Sequence, residues 1–373
     1  MNDMQRRGLP SPRVAQRSGG EGSGVGGRQR HNPPPTPAPS APTLPATRSA
    51  RGGRVTGGSA EREHADAAGR MCPLDYVYPP SAFDRAPDLT AETLYVVGGL
   101  YGNLAAFETI ERLAAAEPKP PTVVFNGDFH WFDAEPNWFA AIERAVAPYP
   151  ALRGNIETEI ARPADVGAGC GCAYPPSVDE DTVQRSNEIQ IALNAAAPDQ
   201  ARSRLARLPM HLVARVGPLR VGIVHGDAAS LAGWRFAHDA LDRTSQRGWL
   251  EDVRRASGVD LFASTHTCLA ALRDFALASG RLTVINNGSA GMPNFSGSTF
   301  GVVTRIATAP SPHRPLYGLY RDGVHIDALA VEYDTGAFLD RFLARWPQGS
   351  PANASYFRRI SRGPDYAVVA AAG

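Results

Sequence analysis

Lysine is almost absent: Lys119 stands alone among 38 basic residues. We read that arginine bias as genomic base composition, without bearing on chemistry. Cysteine is scarce, with four residues (Cys72, Cys170, Cys172 and Cys268) in 373, which excludes a disulfide scaffold. No apolar run approaches the roughly 18 residues that a membrane span needs, so no span is expected. No apolar stretch follows the charged N-terminus, so no secretory signal is expected either. The default expectation is therefore a cytoplasmic protein with reduced thiols. Residues 1–70 contain no Phe, Trp or Tyr and run through SGGEGSGVGG and NPPPTPAPSAPTLPAT. Such a segment buries too little apolar surface to offset the entropy of ordering, so it is expected to be a disordered tail. Net charge is also nearly absent, at +1, but its distribution is uneven. Residues 1–70 carry eleven Arg against five acids, and the remaining chain carries 27 basic against 32 acidic groups. An acidic body of that kind argues against a broad nucleic-acid interface, which needs a cationic face.

What is present is a body, residues 71–373, with an alternating pattern over its core, 93–334. Leu94–Gly98 reads as a buried strand, and Leu104–Ala116 as a helix with Leu104, Phe107, Ile110 and Leu113 on one face. Thr122–Asn126 is a second strand, Trp138–Val146 a helix, and Ala151–Arg153 the start of a third strand. This βαβαβ rhythm predicts a largely parallel sheet with helices on its faces. Beyond it the pattern predicts an inserted loop at Glu159–Tyr174 and a helix at Val178–Leu193. A hairpin is expected around Gly217-Pro218, then a helix at Leu241–Arg255 and a strand at Val259–Ala263. A further run of strands ends in a helix at Ala337–Trp346.

Polar clusters fall just after the predicted strands: GD at 127–128, GN at 154–155, HGD at 225–227, STH at 264–266 and NNGS at 286–289. Ligands of open α/β sheets bind at the carboxyl ends of strands. Carboxylate, carboxamide and imidazole groups gathered there suit Mn, Fe, Zn or Ni. The first turn, GGLYGN at 98–103, contains neither an acid nor a histidine. Its glycines suit a tight backbone near an anion. Tyr101 could bind a phosphate oxygen, act as a phenolate ligand, or simply pack. Asn103 could contact substrate or cap the following helix.

Taken in order, GLYGN, GDFHWFD, GNIE, VHGD, ASTH and NNGSAG resemble the motifs of the calcineurin-like metallophosphoesterase superfamily between Thr93 and Asp334. The resemblance implies an α/β fold, a four-layer sandwich of two central mixed β-sheets flanked by helices. It implies hydrolysis of a small-molecule phosphomonoester or phosphodiester by metal-activated water. It also implies that Asp128 is a bridging metal ligand, that Asn155 and His225 serve one metal, and that His266 serves another. In that superfamily the first turn supplies an Asp and a His. Here Gly99 and Tyr101 stand at those positions, Ile156 replaces the His that assists the leaving group, and Ser264 replaces another His ligand. A divergent centre with one divalent metal rather than two is therefore expected, held by Asp128, Asn155, His225 and His266.

Two further residues are candidates for the lost acid. Asp128-Phe129-His130 and His225-Gly226-Asp227 each place a second group two residues on, on the same side if the backbone is extended. His130 or Asp227 would then protonate the leaving group. Cys170, Cys172 and Cys268 are either small buried residues or a thiol cluster of their own. Two other readings stay open: a catalytically silent binding or regulatory module on the same fold, and a metal- or thiol-dependent enzyme of another reaction class.

Overall fold

The computed structural model describes residues 67–373. The tail expected to be disordered lies outside the described residues, apart from its last four. Of those, Arg70 is tied to the body through Glu180 and the carbonyls of Pro175 and Val178.

The elements follow in chain order: β1 (Leu89–Ala91), β2 (Thr93–Val97), α1 (Leu104–Ala115), β3 (Thr122–Asn126), α2 (Pro136–Val146) and β4 (Ala151–Leu152). Next come α3 (Asn155–Ala161), α4 (Glu180–Ala196), α5 (Asp199–Leu205), β5 (His211–Val216), β6 (Leu219–Val224), α6 (His238–Leu241) and α7 (Arg247–Ser257). The chain continues with β7 (Leu261–Ser264), β8 (Ala270–Leu277), β9 (Gly280–Asn287), β10 (Gly301–Ala307), β11 (Tyr317–Arg321) and β12 (Val324–Val331). Three helices close it: α8 (Thr335–Arg345), α9 (Pro351–Arg362) and α10 (Val368–Ala371).

The strands form two mixed six-stranded sheets, ordered β1-β5-β6-β7-β9-β8 and β11-β12-β10-β2-β3-β4. In the first, β6, β7 and β9 run parallel; in the second, β2, β3 and β4 do. Side chains alternate across a strand, and both faces of these strands are covered. Leu94 and Val96 of β2 join Val124, Val221, Ile223, Leu261 and Ile285 in the core between the sheets. Tyr95 and Val97 point the other way and pack under α1 and α2 with Phe107, Phe125, Trp138 and Ile142. A third cluster, with Phe236, Leu250, Val253 and Phe262, packs α7 onto the outer face of the other sheet. The expected four layers are thus present. Among the described residues no helix is long and apolar enough to cross a membrane.

Some boundaries differ from the sequence reading. The segment NIETEIA forms α3, taking the first residues of the expected loop, because Ile156 and Ile160 are four apart and both buried. The expected helix over Leu241–Arg255 is broken: α6 ends at Leu241, and α7 begins at Arg247 after a short 3₁₀ turn. Helices α5 and α9 were not anticipated. Helix α9 matters most, because it forms a wall of the site.

Candidate functional site

The six parallel strands end on one side of the molecule, and the turns after them build the site. Asn103 caps α1, accepting a hydrogen bond from Ala106 N at 3.1 Å and donating to Gly291 O at 3.0 Å. That is the helix-capping role, with no face toward the site. The turn after β3 places Asp128 at φ 50°, a left-handed conformation that is uncommon for a residue with a side chain. Glu157, fully buried in α3, fixes this turn. One of its oxygens accepts from Asp128 N and Gly154 N, both at 2.8 Å, and the other from His130 N at 3.2 Å. Burial, reinforced by the Asp128 charge, raises the Glu157 pKa. Glu157 was missed in the sequence, although it is the last letter of GNIE. Gly154 has to be glycine for a steric reason, since a Cβ there would lie 2.2 Å from Asp128 Oδ1.

Four buried donors converge above these turns. His225 Nε2 lies 3.3 Å from Asp128 Oδ2, 3.1 Å from Asn155 Oδ1 and 3.1 Å from His266 Nδ1. The candidate ligand atoms of Asp128, His225 and His266 all fall within 4.8 Å of one another. The outer contacts fix which atom each residue turns inward. His225 Nδ1 faces the Asn126 carbonyl at 3.0 Å, so it carries the hydrogen and leaves Nε2 with a lone pair. His266 Nε2 faces the Cys172 carbonyl at 3.0 Å, which leaves its Nδ1 with the lone pair. Asn155 donates its amide to the Cys170 carbonyl at 2.9 Å and turns its oxygen inward.

With both imidazoles neutral, four lone pairs face one another and no hydrogen lies between them. Only a cation, a metal ion or a proton, resolves that arrangement. The protonation directions fit a neutral His266 and, at His225, the proton as one of those two cations. Burial and the neighbouring His225 pull His266 down to about 3, so it is neutral at ordinary pH. Burial pulls His225 the same way, but the Asp128 carboxylate outweighs it and raises the pKa. One carboxylate, one carboxamide and two imidazoles fit a divalent transition metal better than Mg or Ca, which prefer all-oxygen shells.

The residues that replace missing ligands are fully engaged elsewhere. Gly99 lies at φ +63°, and the Tyr101 ring packs over it, with Cε2 2.8 Å from where a Cβ would stand. The two replacements in the first turn are therefore sterically linked. Tyr101 OH is 2.8 Å from Cys268 Sγ. Burial raises both their pKa values, in keeping with a neutral phenol and a neutral thiol in this contact. Ser264 donates its hydroxyl to Gly226 O at 2.9 Å. Cys170 and Cys172 are disulfide-bonded to each other, against the expectation of reduced thiols, and Cys268 is free, so the three do not form one thiol cluster. The carbonyls of this Cys-Gly-Cys loop hold Asn155, His266 and also Trp234, whose Nε1 donates to Cys172 O at 3.0 Å.

His130 and Asp227 face away from the cluster. His130 stacks on Phe139, with ring centres 3.8 Å apart, and is fully buried. Its Nδ1 is 2.6 Å from Asp133 and its Nε2 is 2.9 Å from Glu143, which pairs in turn with Arg204 at 2.6 Å. Burial would lower the His130 pKa, but Asp133 and Glu143 raise it to about 9. Both ring nitrogens are occupied, and the residue is part of the core. The i, i+2 expectation required extended backbone, and the left-handed Asp128 turns His130 aside. The Asp227 carboxylate accepts from the backbone of Ala229, Ser230 and Arg235 at 2.8, 3.1 and 3.1 Å, which makes it a turn residue.

A pocket of about 170 Å³ opens beside the cluster. Asp128, Asn155 and His266 form its floor, and Tyr101, Trp131, Ile156, Trp234, Tyr356 and Arg359 line its sides.

No protein-family model matches the chain, and no curated protein sequence matches it. Solved structures are similar in fold. A hypothetical protein from Pyrococcus horikoshii OT3 aligns over 74% of this chain and 99% of its own, with 17% identity and a TM-score of 0.50. A metallophosphoesterase from Sphaerobacter thermophilus aligns over 73% of this chain and all of its own, with 16% identity and a TM-score of 0.47. A phosphoesterase from E. coli aligns over 64% of this chain and all of its own, with 14% identity and a TM-score of 0.29.

Proposed function

We propose that this chain, a sandwich of two mixed six-stranded sheets with metallophosphoesterase-like motifs at its strand ends, is a phosphoesterase built around a single divalent metal and acting on a small-molecule ester. One observation carries the reading: Asp128 Oδ2, Asn155 Oδ1, His225 Nε2 and His266 Nδ1 direct lone pairs at one another in a buried cluster. These four residues would hold the ion. A divalent ion there supplies Lewis-acid polarisation of a phosphoryl oxygen and acidifies water. The chain's own residues do the rest. The carbonyls of Asn126, Cys170 and Cys172 keep the ligands in the correct tautomer and rotamer. Ile156 and Trp131, both almost fully buried, exclude bulk water from one side of the pocket. His130 and Asp227 are not offered as proton donors. With Ile156 at the position of the leaving-group His, hydrolysis should favour esters whose leaving groups depart readily as anions.

The test is elemental mass spectrometry of the purified full chain, followed by a phosphoester panel assayed with the metal found. About one equivalent of Mn, Fe, Zn or Ni with measurable hydrolysis is the expected result. A protein that takes up no metal after reconstitution would instead be a silent binding module.

A second outcome checks why there is one metal and not two. The double substitution Gly99→Asp with Tyr101→His removes the ring that fills the space over residue 99. Asp tolerates the left-handed backbone there better than most residues. The double variant is expected to bind two equivalents, and Gly99→Asp alone only one, because the Tyr101 ring still blocks it. Equal stoichiometry in both variants would show that the first turn is not what limits the site.

A further inference from the structure

Helix α9, the last long helix before the short α10, supplies a group that lies outside the strand-end motifs. Arg359 sits three residues after Tyr356, so both side chains lie on the same face and line the pocket. Its guanidinium is tethered at two corners. Nε donates to Pro293 O at 3.2 Å, and Nη2 donates to Cys268 O. Among the described residues no carboxylate pairs with it, and Nη1 has no protein partner. An arginine held rigid by carbonyls, left without a counter-ion and facing a pocket is arranged to receive an anion.

The charge balance narrows the anion. Among the described residues Asp128 is the one carboxylate lining the pocket. A divalent ion at the cluster together with Arg359 leaves a net charge near +2, which matches a phosphomonoester dianion and exceeds a diester monoanion. The walls narrow the organic part. Trp131 and Tyr356 meet edge to face with ring centres 6.3 Å apart, and Tyr174 and Trp234 form a second pair at 5.9 Å. Such rings stack a planar group. The cavity, about 170 Å³, is well below the roughly 300–1,000 Å³ of pockets for drug-sized ligands. A single ring suits that enclosed part.

From these observations, and resting on the phosphoesterase reading above, we infer that Arg359 anchors the phosphoryl group of an aryl phosphomonoester whose ring lies among Trp131, Tyr174, Trp234 and Tyr356. An aryloxide also leaves as an anion without a protonating histidine, in keeping with Ile156 in this wall.

Binding tests this separately from turnover. Trp131 and Trp234 report occupancy by fluorescence. Phenyl phosphate titrated into the full chain is expected to quench them, with inorganic phosphate binding at least about tenfold more weakly. Arg359→Gln should weaken phenyl phosphate about tenfold or more, and Arg359→Lys should recover part of that loss. Tyr356→Leu, which leaves the tethers of Arg359 in place, should weaken phenyl phosphate while sparing inorganic phosphate. Undiminished phenyl phosphate binding in Arg359→Gln overturns the inference, as does wild-type protein that binds neither probe. Should Arg359→Gln not fold, the Lys and Leu variants decide the matter by the same two comparisons. Tight, Arg359-dependent binding with no hydrolysis of any ester would sink the phosphoesterase reading and leave this site standing. Hydrolysis that is indifferent to Arg359 in KM would do the reverse.

Discussion

His225→Gln is expected to lose its metal and to lower kcat/KM by at least about a thousandfold, roughly 4 kcal/mol of transition-state stabilisation. His225 is the hub of the cluster, since its Nε2 is the one atom within 3.3 Å of Asp128, Asn155 and His266 together. Losing an inward imidazole from a site of only four protein donors leaves too few strong ligands to hold a transition metal. Gln retains most of the volume, so packing is largely kept. The melting temperature of the metal-free variant should therefore stay near that of metal-free wild type. His130→Gln makes the contrast. It breaks the buried contacts to Asp133 and Glu143, so it should destabilise the fold while the protein still binds its equivalent of metal. Elemental analysis and thermal melts on both variants separate the two roles. If His225→Gln kept its metal, or His130→Gln lost it from folded protein, the assignment of the site would be wrong.

That contrast also marks where the sequence was legible and where it was not. Strands buried on both faces read as short apolar runs, and in a parallel sheet each ends in the turn that carries chemistry. GD, GN, HGD and STH are therefore placed at strand ends by the sequence pattern, and Asp128, Asn155, His225 and His266 do come together. The failures share a cause in distance along the chain or in local backbone. D-x-H spacing could not reveal that Asp128 is left-handed, nor that Glu143, 13 positions beyond His130 and itself paired with Arg204, would take up that imidazole. Nothing in C-G-C says that its carbonyls, rather than its sulfurs, hold Asn155 and His266. Arg359 lies 91 positions beyond Cys268, whose carbonyl it holds, on a helix outside the recognisable motifs. Side-chain identity at a strand end is local information. The partner that sets its tautomer or direction is not.

The same long-range pairing makes Arg305 the residue whose loss should cost the fold most. Arg305 of β10 is paired in register with Tyr95 of β2 on one side and Asp327 of β12 on the other. Its guanidinium makes a bidentate contact with Glu117, Nε to Oε1 at 2.6 Å and Nη2 to Oε2 at 3.1 Å, and reaches Asp327 with Nη1 at 3.2 Å. Tyr95 OH adds a hydrogen bond to Glu117 Oε1 at 2.7 Å. Arg305 is fully buried and Glu117 nearly so. Removing the cation from such a group strands two carboxylates in a low dielectric, at a cost of about 3–5 kcal/mol. Arg305→Met, which keeps the bulk, is expected to lose that much in urea unfolding at pH 7.

The acid dependence follows from Glu117. Burial alone would raise its pKa, but Arg305 and Tyr95 hold it below the ordinary value of 4.5. A carboxylate depressed in the folded state adds stability above its unfolded pKa, and that contribution fades as the pH falls through the folded one. Asp327 shifts upward through burial, only partly offset by Arg305, so it contributes nothing of this sign. Wild type should thus lose stability below about pH 4.5. In Arg305→Met the stranded carboxylates take up protons instead and relieve their own penalty, so the gap between the two proteins narrows. Arg305→Met with Glu117→Gln should recover part of the loss at pH 7, because one of the two stranded charges, the one held bidentately, is gone. A gap that stayed constant from pH 7 to 3.5 would mean that lost packing, and not uncompensated charge, accounts for the destabilisation.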